Sequence, residues 1–294
     1  MNYQGLLSGP GGDLTFTVCF VLFFGLPFLA YVLLAAVGAV DLPAHKRVGS
    51  GRRLLQPLFV GYYYWLLDPV FRFTEKTSLR PNQITLVSLL TSALTAAAIA
   101  TGHFALASTL LIAAATLDII DGHLARAKRL ATSSGAFLDS TIDRICDGLI
   151  FGGCAAYYGG TPMMYVCLVV MIMSFTVSYA RARGETLGIV GAEGLMQRAE
   201  RITILGIALA FSPIIGHHLE GFVEHPFYGL TAAALCLLAL LNTTTAVARI
   251  SWTMTRLKDG QRFTLVRPLA NRSPSDLLVP STADAPDAFN NRVS

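Results

Sequence analysis

Charged residues are scarce in this sequence. Of its 294 residues, 14% are Asp, Glu, Lys or Arg, whereas 53% are apolar. Because an average soluble domain has about 25% charged residues, this shortage excludes an ordinary water-soluble globule and indicates an integral membrane protein. The sequence also lacks internal repeats and a second, soluble domain. Its net charge of +4 suits anionic lipid headgroups, and nothing in the pattern predicts binding to nucleic acid.

Cysteine is also rare, and its spacing argues against two kinds of site. None of the five cysteines has the spacing of a metal-binding motif, and all of them lie in apolar stretches, which predicts small core side chains and no disulfide framework. They are Cys19, Cys146, Cys154, Cys167 and Cys236. His217 and His218 lie near Glu220 and Glu224. A zinc site would need more ligands at firmer spacing, so we predict a solvated loop there.

Lysine and arginine are absent from four parts of the chain, and this absence predicts the topology. None of the 22 basic residues lies in residues 1–40, 101–103, 157–162 or 216–226; they crowd into every second connection between apolar segments. Seven windows are long enough to span a bilayer: about 14–40, 81–101, 103–126, 135–158, 162–181, 199–216 and 227–250. By the positive-inside rule, the N-terminus lies outside and the C-terminus in the cytoplasm.

These patterns divide the chain into four parts. Residues 1–40 contain an extra N-terminal transmembrane helix, which lacks the basic start of a cleaved signal peptide. Residues 41–78 are basic and aromatic, and because two prolines, Pro57 and Pro69, are expected to break this segment, we predict a non-spanning helix at the cytoplasmic interface. Residues 79–256 form the membrane domain. Residues 257–294 are polar and are predicted to be a disordered tail.

Five aspartates lie in or beside segments that are otherwise apolar enough to span a bilayer. They are Asp118, Asp121, Asp139, Asp143 and Asp147. One aspartate at the centre of a membrane helix costs about 2.5–3.5 kcal/mol on insertion scales. The usual partner of such residues is a divalent metal ion or an aqueous cavity, so we predict a functional site at this stretch.

The spacing of the aspartates predicts that they meet. Asp118 and Asp121 are i,i+3 neighbours and the other three are i,i+4 neighbours, so each set lies on one face of a helix. Residues 131–135 are predicted to form a tight turn that folds the two helices antiparallel. Four carboxylates would then meet at one end of the helix pair, as a hard-oxygen site suited to Mg²⁺, Mn²⁺ or Ca²⁺.

Small and basic residues accompany the aspartates. Gly122 and Ala125 lie on or near the Asp121 face and leave room for a ligand. Arg126 offers a bidentate donor for a phosphate group at the same end of the helix. The pattern therefore predicts a site that holds a metal ion and a phosphorylated ligand together.

The complete motif resembles that of a known family. The sequence fits D-x2-D-G-x2-A-R-x8-G-x3-D-x3-D without a gap, through Asp118, Asp121, Gly122, Ala125, Arg126, Gly135, Asp139 and Asp143. This pattern is similar to the signature of the CDP-alcohol phosphotransferases. The resemblance implies an all-α, six-helix membrane bundle, here with one extra N-terminal span. It also implies homodimers, and an enzyme that transfers a substituted phosphoryl group from a CDP-linked donor and releases CMP.

The resemblance assigns roles to individual residues. It implies a two-metal site for Mg²⁺ or Mn²⁺ held by Asp118, Asp121, Asp139 and Asp143, with Asp143 also as general base. The nucleotide and donor would be bound by Asp118, Gly122, Ala125, Arg126 and Gly135, together with Asn82 and Thr85, because family members often carry a similar Pro-Asn-x-x-Thr. Asp147 lies outside the minimal motif. It is either part of the site or one partner of an ion pair, for example with Arg144.

Four arginines predict the kind of acceptor. Arg181, Arg183, Arg198 and Arg201 lie at the predicted cytoplasmic level of the aspartates, where they suit a phosphorylated acceptor or serve as positive-inside anchors. The sequence around these arginines, together with residues 139–144, resembles prokaryotic members of the family that use inositol phosphate. This resemblance implies a CDP-diacylglycerol donor, a prokaryotic cell membrane and an active site facing the cytoplasm. Glycerol phosphate or serine as acceptor stays open, as does transfer from CDP-choline or CDP-ethanolamine to diacylglycerol.

Two classes outside the family remain as alternatives. Intramembrane prenyltransferases also use aspartates and metal ions, but their motifs lie on well-separated helices and lack this arrangement of glycine, alanine and arginine. A transporter that uses buried carboxylates would distribute them across the membrane depth, whereas these aspartates cluster at one end.

Overall fold

The computed structural model describes residues 22, 26–36, 56–189, 196–220 and 226–258, and every extended regular element within them is a helix. The predicted all-α class is therefore confirmed. The helices are α1 (Leu26–Ala36), α2 (Gln56–Lys76), α3 (Pro81–Ala100), α4 (Phe104–Ala127), α5 (Ser133–Tyr157), α6 (Met163–Thr186), α7 (Arg198–Glu220) and α8 (Gly229–Lys258).

Helices α3 to α8 correspond to the last six predicted spans. All of them except α5 are long and apolar enough to cross a membrane. Helix α5 has the length, at 25 residues, but it carries four charged residues, Asp139, Asp143, Arg144 and Asp147, three of which are predicted site residues. The extra span predicted for residues 14–40 lies mostly outside the described residues, as do the tail beyond 258 and the basic residues of 41–55. The count of seven spans stays a prediction.

The six helices α3 to α8 form a closed ring. Helix α3 packs against α4 and α5, α4 continues to α7, α7 to α8, α8 to α6, and α6 returns to α5. The ring encloses an apolar cluster that includes Phe104, Leu111, Phe151, Leu205 and Leu235. The aspartates lie where α4 ends and α5 begins. The apolar cluster thus fills the interior of the bundle, and the polar site lies at one end of it.

Small residues allow α3 and α5 to approach closely. The buried face of α3 consists largely of Thr85, Ser88, Ser92 and Thr95. At Gly153 on α5, an added Cβ would lie 2.6 Å from the carbonyl oxygen of Ala96, which is closer than van der Waals contact allows. The position of α5, and of the aspartates on it, therefore depends on a glycine.

The structure corrects three local predictions. Pro69 does not break its segment, because α2 runs continuously from Gln56 to Lys76 with this proline inside it. Helix α5 begins at Ser133, so the predicted turn at 131–135 is shorter and Gly135 belongs to the first turn of α5. Helix α7 continues to Glu220, so His217 and His218 belong to a helix and not to a loop.

The free cysteines also differ from one another. Cys146, Cys154 and Cys167 are buried, as predicted, whereas Cys236 is exposed on the surface of the bundle. Cys19 lies outside the described residues.

Helix α2 packs along the outside of α4. The Tyr63 hydroxyl lies 2.6 Å from Thr116 Oγ1, and Leu67 and Phe71 join an apolar cluster that is completed by Ile84, Ile120 and Leu124. Further along, the Phe71 ring stacks on His123 at 4.1 Å between centroids. The contacts advance in the same direction on both helices, so α2 supports the face of α4 that points away from the aspartates. An interfacial orientation of residues 41–78 stays a prediction.

Candidate active site

Helices α4 and α5 bring three aspartates together. Asp118, Asp121 and Asp139 each offer a carboxylate oxygen, and these oxygens lie within 4.8 Å of one another. The connection between the helices is short, and Thr132 caps α5 by accepting a hydrogen bond from the Gly135 amide at 3.1 Å. The antiparallel arrangement predicted from the spacing is therefore present.

The donor set of this cluster fits a divalent cation. All three side chains are carboxylates, which Mg²⁺ and Mn²⁺ prefer over nitrogen or sulfur. Opposite ligands of a Mg²⁺ octahedron lie about 4.2 Å apart at about 2.1 Å per bond, so small side-chain rotations would bring these oxygens into range. Asp121 is only 4% exposed, and a buried carboxylate needs such a countercharge.

Asp121 is also held by a hydroxyl from a third helix. Thr85 Oγ1, on α3, donates a hydrogen bond of 2.6 Å to Asp121 Oδ2. Thr85 itself is 4% exposed. The Thr85 hydroxyl thus orients a predicted metal ligand, and the predicted contact of Thr85 with the nucleotide stays a prediction.

Arg198, on α7, lies among the carboxylates. Its Nη1 donates a hydrogen bond of 2.7 Å to Asp118 Oδ2 and lies at ion-pair distance, 2.8 Å, from Asp143 Oδ1. Asp143 therefore faces the guanidinium as well as the other aspartates. Its predicted roles as fourth metal ligand and as general base stay predictions. Arg198 borders the carboxylate cluster, and its acceptor-binding role stays a prediction.

Asp147 pairs with two arginines of α7. Its Oδ2 accepts a hydrogen bond of 2.8 Å from Arg201 Nη2, and its Oδ1 lies 3.4 Å from Arg198 Nε as an ion pair. The suggested pairing with Arg144 is wrong, because the Arg144 guanidinium donates to the carbonyl oxygen of Ser140 in its own helix. Asp147 is thus both an ion-pair partner and a neighbour of the site.

The four predicted acceptor arginines do not form one pocket. Arg201 is 2% exposed and paired with Asp147, so the structure does not support its prediction as an acceptor ligand: the guanidinium is used inside the bundle. Arg181 is exposed and pairs with Glu185 at 2.9 Å on the same helix, and Arg183 is exposed. Arg198 is the member of the set that reaches the carboxylates.

The residues predicted to bind the nucleotide lie around the same end of the bundle. Arg126 is exposed and folds back over Gly122, where an added Cβ would lie 3.4 Å from Arg126 Nη1. Asn82 Oδ1 lies 3.8 Å from the position of a Cβ on Gly135, so the start of α3 faces the start of α5. Ala125 lies in the last turn of α4. Their contacts with a nucleotide stay predictions.

One pair near the site was missed by the sequence reasoning. His123 follows Gly122 in the motif, and its Nε2 lies 2.8 Å from Glu75 Oε1 on α2. The signal in the sequence was His123 itself, a polar residue on the face of α4 away from the aspartates, where it calls for a hydrogen-bonding partner. Its partner could not be identified because Glu75 belongs to the segment outside the motif.

Comparison with known proteins identifies the family. The sequence profile described as CDP-alcohol phosphatidyltransferase matches residues 78–256, more than half of the chain. The archaetidylinositol phosphate synthase of Methanothermobacter thermautotrophicus is 35% identical over 192 residues, which cover 65% of this chain and 90% of that protein. The phosphatidylinositol phosphate synthase of Streptomyces avermitilis is 31% identical over 208 residues, which cover 68% of this chain and 82% of that protein.

The fold has solved counterparts. The phosphatidylinositol phosphate synthase of Mycobacterium tuberculosis, in a crystal structure with manganese and citrate, matches with a TM-score of 0.55 and 26% identity, over 64% of this chain and 88% of that one. A structure of the same enzyme with CDP-DAG bound also has a TM-score of 0.55 and 26% identity, over 64% of this chain and 92% of that one. The motif, the fold and the relatives agree: this chain is a membrane phosphotransferase of the CDP-alcohol phosphatidyltransferase family.

Proposed function

We propose that this protein transfers a phosphatidyl group from CDP-diacylglycerol to a hydroxyl of inositol phosphate, and releases CMP. The observation that carries the proposal is the position of Arg198 beside a cluster of three carboxylates from two helices. The cluster suits the pyrophosphate of a CDP-linked donor, and the arginine suits an anionic acceptor. The relatives named above are an archaetidylinositol phosphate synthase and phosphatidylinositol phosphate synthases, which supports inositol phosphate as the acceptor for this chain.

The cofactor is proposed to be Mg²⁺ or Mn²⁺. Asp118, Asp121 and Asp139 would hold it, with Asp143 as a further ligand if two ions bind, as the family resemblance implies. When bound, the metal neutralises negative charge on the transferred phosphoryl group and on the CMP leaving group. Arg126, exposed at the end of α4, would add a positive charge to the donor phosphates.

Asp143 and Arg198 have different roles toward the acceptor: Asp143 accepts the proton of its hydroxyl, and Arg198 binds its phosphate. The acceptor hydroxyl gives its proton to Asp143, and its oxygen attacks the β-phosphorus of the donor while the bond from that phosphorus to the CMP oxygen breaks. Arg198 lies 2.8 Å from Asp143. An acceptor whose hydroxyl reaches Asp143 therefore brings its own phosphate to the neighbourhood of the same guanidinium, which favours a phosphorylated acceptor.

The site is proposed to face the cytoplasm. Basic residues concentrate in the connections at this end of the bundle, and nucleotides are available in that compartment. A site at the membrane boundary gives CDP an aqueous approach while the acyl chains of the donor stay in the bilayer. We propose the cell membrane of a prokaryote as the location, since the named relatives are bacterial and archaeal, and a homodimer as the assembly, from the family resemblance.

Other acceptors fit the site less well. Serine has no phosphate, and diacylglycerol, the acceptor of CDP-choline or CDP-ethanolamine transfer, would leave Arg198 without an anionic partner. Glycerol phosphate carries the same charge as inositol phosphate and is the second candidate. Family membership argues against the prenyltransferase and the transporter.

The test is CMP release by the purified protein with CDP-diacylglycerol and Mg²⁺ or Mn²⁺. Inositol phosphate, glycerol phosphate, inositol and serine are supplied one at a time, and Asp143→Asn is the blank. We expect release with inositol phosphate and no more than background release with inositol. Release that is equally fast with inositol or serine would contradict a phosphorylated acceptor. Release with glycerol phosphate alone would transfer the assignment to the second candidate.

A further inference from the structure

Asp147 is a buried carboxylate that the motif does not include. It lies one helical turn beyond Asp143 on α5 and is 3% exposed. Its two oxygens contact two different arginines: Oδ2 receives the Arg201 hydrogen bond, and Oδ1 lies 3.4 Å from Arg198 Nε. One side chain thus joins a fully buried cation to the cation that borders the carboxylate cluster.

Stability alone gives a weak reason for such a group. Taking a carboxylate and a guanidinium out of water carries a large desolvation penalty, and apolar residues of similar volume often serve a fold as well or better. Buried charges inside membrane proteins usually mark a functional pathway or site. Because Asp147 contacts Arg198 at the edge of the carboxylate cluster, we expect its function to act through Arg198.

The Arg198 guanidinium lies between Asp147 and the carboxylate cluster. Arg198 and Arg201 are i,i+3 neighbours on α7, yet the side chain of Arg198 is 22% exposed and that of Arg201 only 2%. The carboxylate of Asp147 lies on the Nε side of Arg198, where Oδ1 and Nε face each other at 3.4 Å as an ion pair without a hydrogen bond, while Nη1 reaches Asp118 and Asp143. A guanidinium is a rigid planar fork, so a buried negative charge beside its Nε edge favours the orientation in which the outer nitrogens point to the cluster.

We propose that Asp147 is a positioning residue for acceptor binding: with Arg201 as its buried counter-ion, it holds Arg198 in the orientation that receives the acceptor's phosphate. This inference rests on the proposed function, because it needs an anionic acceptor. In this role Asp147 acts through Arg198, and not by binding the acceptor or a metal ion itself. Arg201 acts at one further remove, by keeping Asp147 charged and in place.

The test separates positioning from simple charge balance. Asp147→Asn leaves Arg201 buried without its counter-ion, so this single variant is expected to lower both the melting temperature and the affinity for the acceptor. The paired variant Asp147→Asn with Arg201→Gln removes both charges together, and we expect it to recover most of the melting temperature. KM for inositol phosphate and for CDP-diacylglycerol, and kcat, are measured for each protein.

Positioning predicts a split between the two substrates. In the paired variant, KM for inositol phosphate should stay raised by about tenfold to about a hundredfold, the usual effect of a misplaced binding group, while KM for CDP-diacylglycerol changes little. Adding Arg198→Gln to the paired variant should raise the acceptor KM no further, because the two changes remove one shared function. A paired variant with the wild-type acceptor KM would overturn the inference, as would a full additional effect of Arg198→Gln.

Two further arms complete the experiment. Asp147→Glu keeps the charge opposite Arg201 but moves the carboxylate, so it serves if the paired variant does not purify; a raised acceptor KM is expected, and a wild-type value would overturn the inference. If the wild-type protein uses inositol as well as inositol phosphate, the proposed acceptor is wrong and the inference fails with it. If the wild-type protein prefers inositol phosphate and the variants keep the same preference and KM, the proposed acceptor stands and only the role of Asp147 is wrong.

Discussion

The hydroxyl of Thr85 donates a hydrogen bond of 2.6 Å to Asp121 Oδ2, across the contact between α3 and α4. Thr85 lies at the start of the second turn of α3, which begins at Pro81, and Asp121 lies in the last two turns of α4. The start of the membrane domain therefore orients a predicted metal ligand 36 residues later in the sequence. A hydrogen bond to a charged group contributes about 1.5–3 kcal/mol, so this contact is strong enough to test.

Thr85→Val should weaken metal binding. Valine keeps the shape of threonine but cannot donate to Asp121, so we expect the affinity for Mn²⁺ to fall by about tenfold, or about 1.4 kcal/mol, with kcat reduced in parallel. Calorimetry on the purified protein measures the affinity. Thr85→Ser should retain it. Thr91→Val is the matched control, because the Thr91 hydroxyl donates to the Val87 carbonyl oxygen of its own helix. An equal loss of affinity in Thr91→Val would contradict the role of Thr85.

Asp121→Ala should abolish CMP release while the protein still inserts and purifies. The substitution removes a ligand from the carboxylate cluster, and the remaining aspartates cannot supply its oxygen. The measurement is CMP release at saturating Mn²⁺. Asp68→Ala is the control, since Asp68 forms an exposed i,i+4 ion pair with Arg72 and exposed pairs contribute little. Activity retained in Asp121→Ala would contradict the metal-site assignment.

Arg198→Gln should have opposite effects on the metal and on the acceptor. Removing the guanidinium frees Asp118 and Asp143 from a competing cation, so Mn²⁺ should bind more tightly, by about tenfold, or about 1.4 kcal/mol. Turnover with inositol phosphate should nevertheless fall, because the acceptor loses its cation. Arg181→Gln is the comparison, as Arg181 pairs with Glu185 on the surface. If both variants bind Mn²⁺ like the wild type, Arg198 does not compete for the cluster.

Local sequence patterns predicted most of the membrane domain. Helices α3 to α8 follow apolar windows bounded by charged or glycine-rich connections, and these signals depend only on neighbours in the chain. The grouping of the aspartates was predictable for the same reason. Their spacing on each helix and the short connection leave little freedom in how the two helices meet.

Long-range pairings were not predictable in this way. A buried Asp147 requires a countercharge, but the sequence does not say whether Arg144, three residues earlier, or Arg201, on another helix, supplies it. The choice between Arg198 and Arg201 depends on how α7 is rotated in the ring. Pro69 was misjudged because the cost of a proline inside a helix was considered without the packing of Leu67 and Phe71 against α4 on either side of it.

Phe71→Ala should destabilise the protein although Phe71 lies outside the segment matched by the family. The ring is 4% exposed and stacks on His123, so its removal leaves a cavity beside α4, at a cost of about 3 kcal/mol. The melting temperature and kcat should both fall. Phe73→Ala, on the same helix, removes a ring that is 68% exposed and should change neither. Equal effects of the two variants would mean that α2 does not support α4.

Two adjacent glycines on α5 test how closely the helices must approach. At Gly153 an added Cβ would lie 2.6 Å from the Ala96 carbonyl oxygen and 2.9 Å from Ala96 Cα, whereas at Gly152 nothing lies within 4 Å. Gly153→Ala must push α5 away from α3, and overpacking of this kind costs about 1–3 kcal/mol. Gly152→Ala should be neutral or slightly stabilising, because alanine favours the helix by about 1 kcal/mol. Thermal unfolding compares the two. Because Asp143 and Asp147 lie on the same helix, we also expect Gly153→Ala to lower kcat. If Gly153→Ala has the same melting temperature and kcat as Gly152→Ala, then α3 and α5 need not approach so closely.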